Sequence, residues 1–185
     1  MNVFLMLCAG FGLAVLVQIG ITHFASFKAQ SPLDYADQTP RFDIRTVLNG
    51  EMITEGVIFN PMGKANTRFV ATMQANWEGD AGTMTEHFTY ASGRTQDRAW
   101  AFQMGENGYF TATAPDIIGV AQGQQSGATV RLTYRIQLPE DAGGHVLDVV
   151  DWMYLLENGS VMNRSEFRKF GIKVAELVAT FRRVE

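Results

Sequence analysis

Thr83–Met104 reads TMTEHFTYASGRTQDRAWAFQM, and its alternation decides the fold class. Met84, Glu86, Phe88 and Tyr90 share one parity, and Thr83, Thr85, His87 and Thr89 share the other. Successive side chains of a strand point to opposite faces, so this half is a strand with one largely apolar face. Ser92-Gly93-Arg94 is a turn signal, after which Gln96, Arg98, Trp100 and Phe102 again fall on one side. The pair is a hairpin, and each strand sets one charge, Glu86 or Arg98, on the face meant for the core. An unpaired buried charge costs several kcal/mol, so both need a partner or a wet cavity.

The same rhythm extends outward. Runs at 51–60, 67–77, 109–114, 117–123, 128–138, 145–157 and 174–184 are separated by turn signals every 8–14 residues or so. Phe69, Ala71, Met73, Ala75 and Trp77 share a face, as do Val130, Leu132, Tyr134, Ile136 and Leu138. Helical periodicity returns after the N-terminus only weakly, at 164–178. The expectation is an all-β antiparallel meander of about nine strands, closed into a small barrel that removes its open edges.

The chain of 185 residues suits one domain with an appendage, expected as an anchor at 1–27, a tether at 28–40 and a barrel at 41–185. Val3–Ile21 carries no charge, and Gln18 is its most polar residue, so it is expected to be a transmembrane helix. No Lys or Arg precedes Lys28, so the basic start of a cleavable signal is missing. Cys8 is the only cysteine, and Leu7 before it is a poor lipidation context. Residues 22–40 are polar, with two prolines, and read as linker. Lys28, Arg41 and Arg45 after the anchor favour a cytoplasmic barrel, although long domains translocate largely regardless of charge.

Net charge is −4 and hydrophobic residues make up 46%. The balance argues against nucleic acid as a partner. No Gly-rich phosphate loop, G-x-S-x-G elbow or H-E-x-x-H occurs, and His23, His87 and His145 are scattered, so neither a cofactor nor a metal is expected.

Asp148–Gly171, DVVDWMYLLENGSVMNRSEFRKFG, holds the remaining chemistry. One parity contains Asp148, Val150, Trp152 and Tyr154, and the other contains Leu147, Val149, Asp151 and Met153. One acid must therefore face inward, whereas a catalytic pair of both is disfavoured. An Asn-Gly turn follows, then a basic link into the last strand. The candidate pocket residues are Glu86, Arg98, Tyr90, Trp100, Trp77, Asp148, Asp151, Trp152, Tyr154 and Lys169. Glu86–Arg98 is either a salt bridge fixing strand register or a polar anchor able to pair with a ligand carboxylate or phosphate. The tryptophans serve either as core or as a stacking platform, and Lys169 either meets an anionic head group or is simply solvated. Asp116, after Pro115, is a turn cap or a rim residue.

The chain resembles the bacterial family called domain of unknown function 3833, from about Phe42 to Arg183. The likeness is carried by NGEMITEGVI (49–58), W-x-G (77–79), E-x-F-x-Y (86–90), SGRTQDRAW (92–100), APDIIGVAQG (114–123) and DWMY (151–154), with N-R-S-x-x-x-K-F-G (163–171) following. The resemblance implies a lipocalin-like barrel with no established activity. It also implies chains resembling exported lipoproteins, often encoded near genes for fatty-acid modification. The expected function is binding of an apolar or amphipathic ligand, a fatty-acyl chain or lipid, by a barrel anchored in the inner membrane on its periplasmic face. The alternatives are an enzyme acting on a modified lipid in that cavity, and a non-catalytic scaffold with a filled barrel.

Overall fold

The computed structural model describes the backbone of residues 3–24 and 26–184, with the helical side chains at 5, 18, 19 and 21–24 left out. Among the described residues ten strands form: β1 (Gly50–Phe59), β2 (Ala65–Glu78), β3 (Ala81–Tyr90), β4 (Thr95–Met104), β5 (Tyr109–Thr113), β6 (Ala121–Ser126), β7 (Thr129–Gln137), β8 (Val146–Leu155), β9 (Val161–Lys169) and β10 (Ile172–Arg183). Each pairs antiparallel with the next, and β10 pairs with β1 to close the barrel.

Ten strands replace the nine expected. The addition is β9, and 164–178 is a strand, a turn and a strand rather than a helix. The run expected at 117–123 begins later, at Ala121, leaving 114–120 as a loop. Barrel diameter grows with strand number, so the extra strand widens the interior.

The parity reading holds for β2, β3, β4 and β7. Phe69, Met73, Met84, Phe102 and Leu132 all turn inward and are buried or line the interior. Three strand glycines make room for large rings from the residue paired directly opposite. A Cβ at Gly56, Gly82 or Gly123 would lie within 2.5, 2.6 and 2.2 Å of the Phe69, Trp77 and Phe110 rings.

One end of the barrel is plugged. The short helix α2 (Ile44–Val47) enters it, with Phe42, Ile44 and Leu48 buried in the core. Asp43 caps it by accepting from the Arg45 N–H, and the Trp77 Nε1–H donates to the Leu48 carbonyl at 2.8 Å. The turns at 60–64, 91–94 and 170–171 and the 138–145 loop ring the other end.

The stretch expected as a tether lies against the barrel's outer wall. It forms two 3-10 turns, Phe27–Ala29 and Pro32–Tyr35, the second with a Ser31/Asp34 capping box. The Tyr35 ring meets Trp152 edge-on at 5.4 Å, and the Phe42 N–H donates to the Gly127 carbonyl at 2.7 Å. Upstream, α1 (Val3–Phe24) is a helix without a charged residue. Its expected role as a transmembrane segment is not shown, because among the described residues no helix is long and apolar enough to cross a membrane. The side chains of Gln18 and His23 lie outside the described residues.

Candidate functional site

The interior is hollow. A cavity of about 540 Å³ opens among apolar side chains such as Ile58, Phe69, Met84, Phe88, Phe167 and Leu177. Its wall includes Ser92, Arg94, Pro139 and Ala142, so it reaches the end opposite the plug. Small-molecule sites measure roughly 300–1,000 Å³ and combine such walls with a few placed polar groups.

Those groups form a belt about midway along the strands. Glu86 and Arg98 are directly opposed on β3 and β4, with the Arg98 Nη1 3.7 Å from the Glu86 Oε2. The same carboxylate oxygen accepts from the Trp100 Nε1–H at 3.1 Å, and the Arg98 guanidinium lies 4.5 Å over the Trp100 ring. Asp116 reaches in from the 114–120 loop and takes two bonds from Arg98, Nε at 2.7 Å and Nη2 at 3.2 Å. That loop is tied to β7 by an isolated bridge between Ile117 and Ile136, which holds the carboxylate against Arg98.

On β8 the inward parity is the one containing Asp151. Its Oδ1 accepts from the Ser165 Oγ at 2.8 Å and from the Asn163 Nδ2, both on the neighbouring β9. Tyr134 of β7 completes the belt, edge-on to Trp100 at 5.6 Å. Asp151 and Tyr134 keep some exposed surface, and both line the cavity.

Burial sets the protonation of this belt. It raises the Glu86 carboxyl, only partly offset by Arg98 and the Trp100 bond. It raises Asp151 likewise against the bonds from Ser165 and Asn163 and the more distant charge of Arg98. The Tyr134 hydroxyl is raised by burial and by the neighbouring acid Asp151, so it stays neutral.

Of the candidates from the sequence, Glu86, Arg98, Trp100, Tyr90 and Asp151 line the cavity. Tyr90 sits nearer the rim, donating to the Gln96 Oε1 at 3.0 Å beneath the Arg94 guanidinium. Trp77 packs on Phe102 at 5.6 Å beside the plug. The structure separates the others from the cavity. Asp148 is on the outer face, 3.6 Å from the Arg135 Nε. Trp152 is fully buried on that outer face beneath Tyr35, and the Tyr154 hydroxyl donates to the Gln30 Oε1 at 2.8 Å. Strand parity sends all three outward, and the N-terminal segment covers the two aromatics. Lys169 is at the unplugged end, with its Nζ 3.0 Å from the His145 Nδ1. The inward acid of β8 is Asp151, but the acid that bonds Arg98 directly is Asp116. Tyr134, Asn163 and Ser165 were missed. The signal for the last two was their i, i+2 spacing, which puts both on one face beside the inward acid.

The family model described as "Protein of unknown function (DUF3833)" matches residues 21–183. The chain belongs to this family. No curated protein matches this DUF3833 chain in sequence. Its fold is shared with an S-type phycobiliprotein lyase, CPES, from Guillardia theta, at TM-score 0.56 and 8% identity, over 75% of this chain and 89% of that one. Rv2717c from M. tuberculosis matches at TM-score 0.55 and 14% identity, over 80% of this chain and 100% of that one. A protein of unknown function from the DUF3598 family of Nostoc punctiforme matches at TM-score 0.54 and 13% identity, over 80% of this chain. The DUF3833 chain spans 51% of that last protein's length. At these identities the likeness is one of fold: a closed, lipocalin-like antiparallel barrel.

Proposed function

We propose that this DUF3833 protein binds an apolar or amphipathic small molecule of the fatty-acyl or lipid class inside its barrel, while α1 holds it at a membrane. The observation that carries the reading is the hollow of about 540 Å³, walled largely by apolar side chains and crossed by a polar belt. A filled barrel, which the scaffold alternative requires, is not what the strands build. Support for the membrane comes from α1, which is uncharged and has exposed apolar residues on every side, including Phe4, Leu7, Phe11 and Leu16. The reading puts the barrel on the periplasmic face of the inner membrane, since the family resemblance implies chains that look like exported lipoproteins. Protease accessibility in spheroplasts decides the side.

Native mass spectrometry of the purified chain tests the binding. The expected spectrum carries an added small-molecule mass that disappears in Leu177→Trp, where the new ring occupies the cavity. An apo spectrum, with no uptake of a fluorescent fatty-acyl probe, would sink the reading.

One observation favours turnover as a second reading. Burial holds Glu86 and Asp151 toward their protonated forms inside an apolar site, the state a general acid requires. Mass change of the co-purified molecule on prolonged incubation, absent in Asp151→Asn, would identify an enzyme.

A further inference from the structure

Acids outnumber bases in the belt. Glu86, Asp116 and Asp151 contribute carboxyls, and Arg98 is the basic residue set among them. The guanidinium is already engaged: two of its nitrogens bond Asp116, the third lies near Glu86, and its face rests on Trp100. It has little left for an incoming anion. Asp151 is held by neutral donors, Ser165 and Asn163, both on the same oxygen. A second observation points to a missing partner. The Thr54 hydroxyl of β1 is 1% exposed, lines the same cavity and has no hydrogen-bond partner.

We infer that the buried polar end of the ligand is a basic nitrogen received by Asp151 and Glu86, and that carboxylate and phosphate head groups are excluded. This rests on the binding reading above and narrows its ligand class. A carboxylate entering the belt would keep Glu86 and Asp151 protonated and leave its own charge beside Asp116 without a free cation in a low-dielectric site, since Arg98 is already engaged. An ammonium keeps the belt's carboxyls ionised and gives each a charge-assisted hydrogen bond. Thr54, which lines the same cavity, leaves its hydroxyl oxygen as a further acceptor. The Arg98–Asp116 pair serves as the fixed wall against which the acids are presented. The acyl-type chain occupies the apolar space between belt and mouth.

The test compares octylamine, octanol and octanoate, which share one chain and differ in the head group. Binding to the full chain in non-ionic maltoside micelles is followed by tryptophan fluorescence, since Trp100 lines the cavity. Octylamine should bind about tenfold or more tighter than octanoate, the worth of one hydrogen bond to a charged group. Asp151→Asn and, separately, Glu86→Gln should narrow the gap between octylamine and octanol. Glu157→Gln, which removes an acid from an exposed turn, should keep the preference and so control for adsorption to an acidic surface. Octanoate binding as tightly as octylamine, or a preference that survives both interior variants, overturns the inference while the binding reading stands. If none of the three binds, both fall together.

Discussion

Asp151 is buried at the expense of stability. Its folded-state pKa is raised above the unfolded value by burial, so the native state holds a proton that the unfolded chain releases. Stability is therefore lost as pH rises from the ordinary carboxylate range through the raised pKa. Asp151→Asn removes that loss and retains an oxygen to accept from Ser165 and Asn163. Its melting temperature should exceed the native one at pH 8, with the gap closing by pH 4; calorimetry at the two values checks this. A gap that widens toward acid would show that Asp151 is stabilised as a carboxylate. Arg98 has the opposite character, because its removal strands Asp116 and Glu86 without their cation. Arg98→Met should cost roughly 3–5 kcal/mol, the range for breaking a buried pair from one side, measured by urea unfolding. At this scale strand alternation in the sequence brings Glu86, Arg98 and Trp100 together. It leaves Asp116 out, because a loop residue has no parity, and the bridge at Ile117 helps hold that loop against the wall.

The element least legible in the sequence is β9, and the reason is the site itself. Its inward face reads Val161, Asn163, Ser165 and Phe167, with two polar residues where a hydrophobic pattern needs apolar ones. Those two hold Asp151, so the chemistry erased the periodicity that would have revealed the strand. The 28–40 stretch was illegible for a different reason. Its contacts with the wall are few, among them Pro32, the Tyr35–Trp152 pair and the Gln30–Tyr154 bond, and its composition matches that of a linker. Tyr35→Ala should raise the acrylamide quenching of Trp152 and cost about 0.5–1.5 kcal/mol per lost aromatic pair. Unchanged quenching would mean that the segment does not shield β8 in solution. The hairpins, by contrast, were legible because each obeys alternation and ends in a turn residue. Their glycines carry a constraint the alternation does not show. Gly123 lies against the Phe110 ring, so Gly123→Ala overpacks the wall and should cost about 1–3 kcal/mol. Adding Phe110→Leu should recover part of that loss, and an additive double variant would count against direct contact.

Across the whole molecule, the N-terminal segment joins the uncharged helix to the plugged end of the barrel. It runs along the outer wall from Phe27, whose ring lies under the Arg164 guanidinium at 4.7 Å, to α2 inside the plug. The mouth is at the far end, and its turns carry a second set of exposed apolar residues: Met62, Phe170 and Ile172. Two surfaces could therefore meet a bilayer, and they imply different routes for the ligand. If α1 alone embeds, the mouth is free to receive a molecule from the aqueous side. If the mouth turns embed, the ligand passes directly between bilayer and cavity. Leu13→Arg with Leu16→Arg places two charges on exposed positions of α1. Each costs roughly 2.5–3.5 kcal/mol at the centre of a bilayer helix, so vesicle partitioning should fall by on the order of ten-thousandfold. Met62→Ser with Phe170→Ser leaves α1 intact and should leave partitioning within about threefold, because isolated surface apolar residues contribute little. Co-flotation with neutral lipid vesicles reads both variants, and circular dichroism confirms that the barrel is kept. Release by the serine pair instead would move the membrane contact to the mouth, because the helix would then be insufficient to hold the chain.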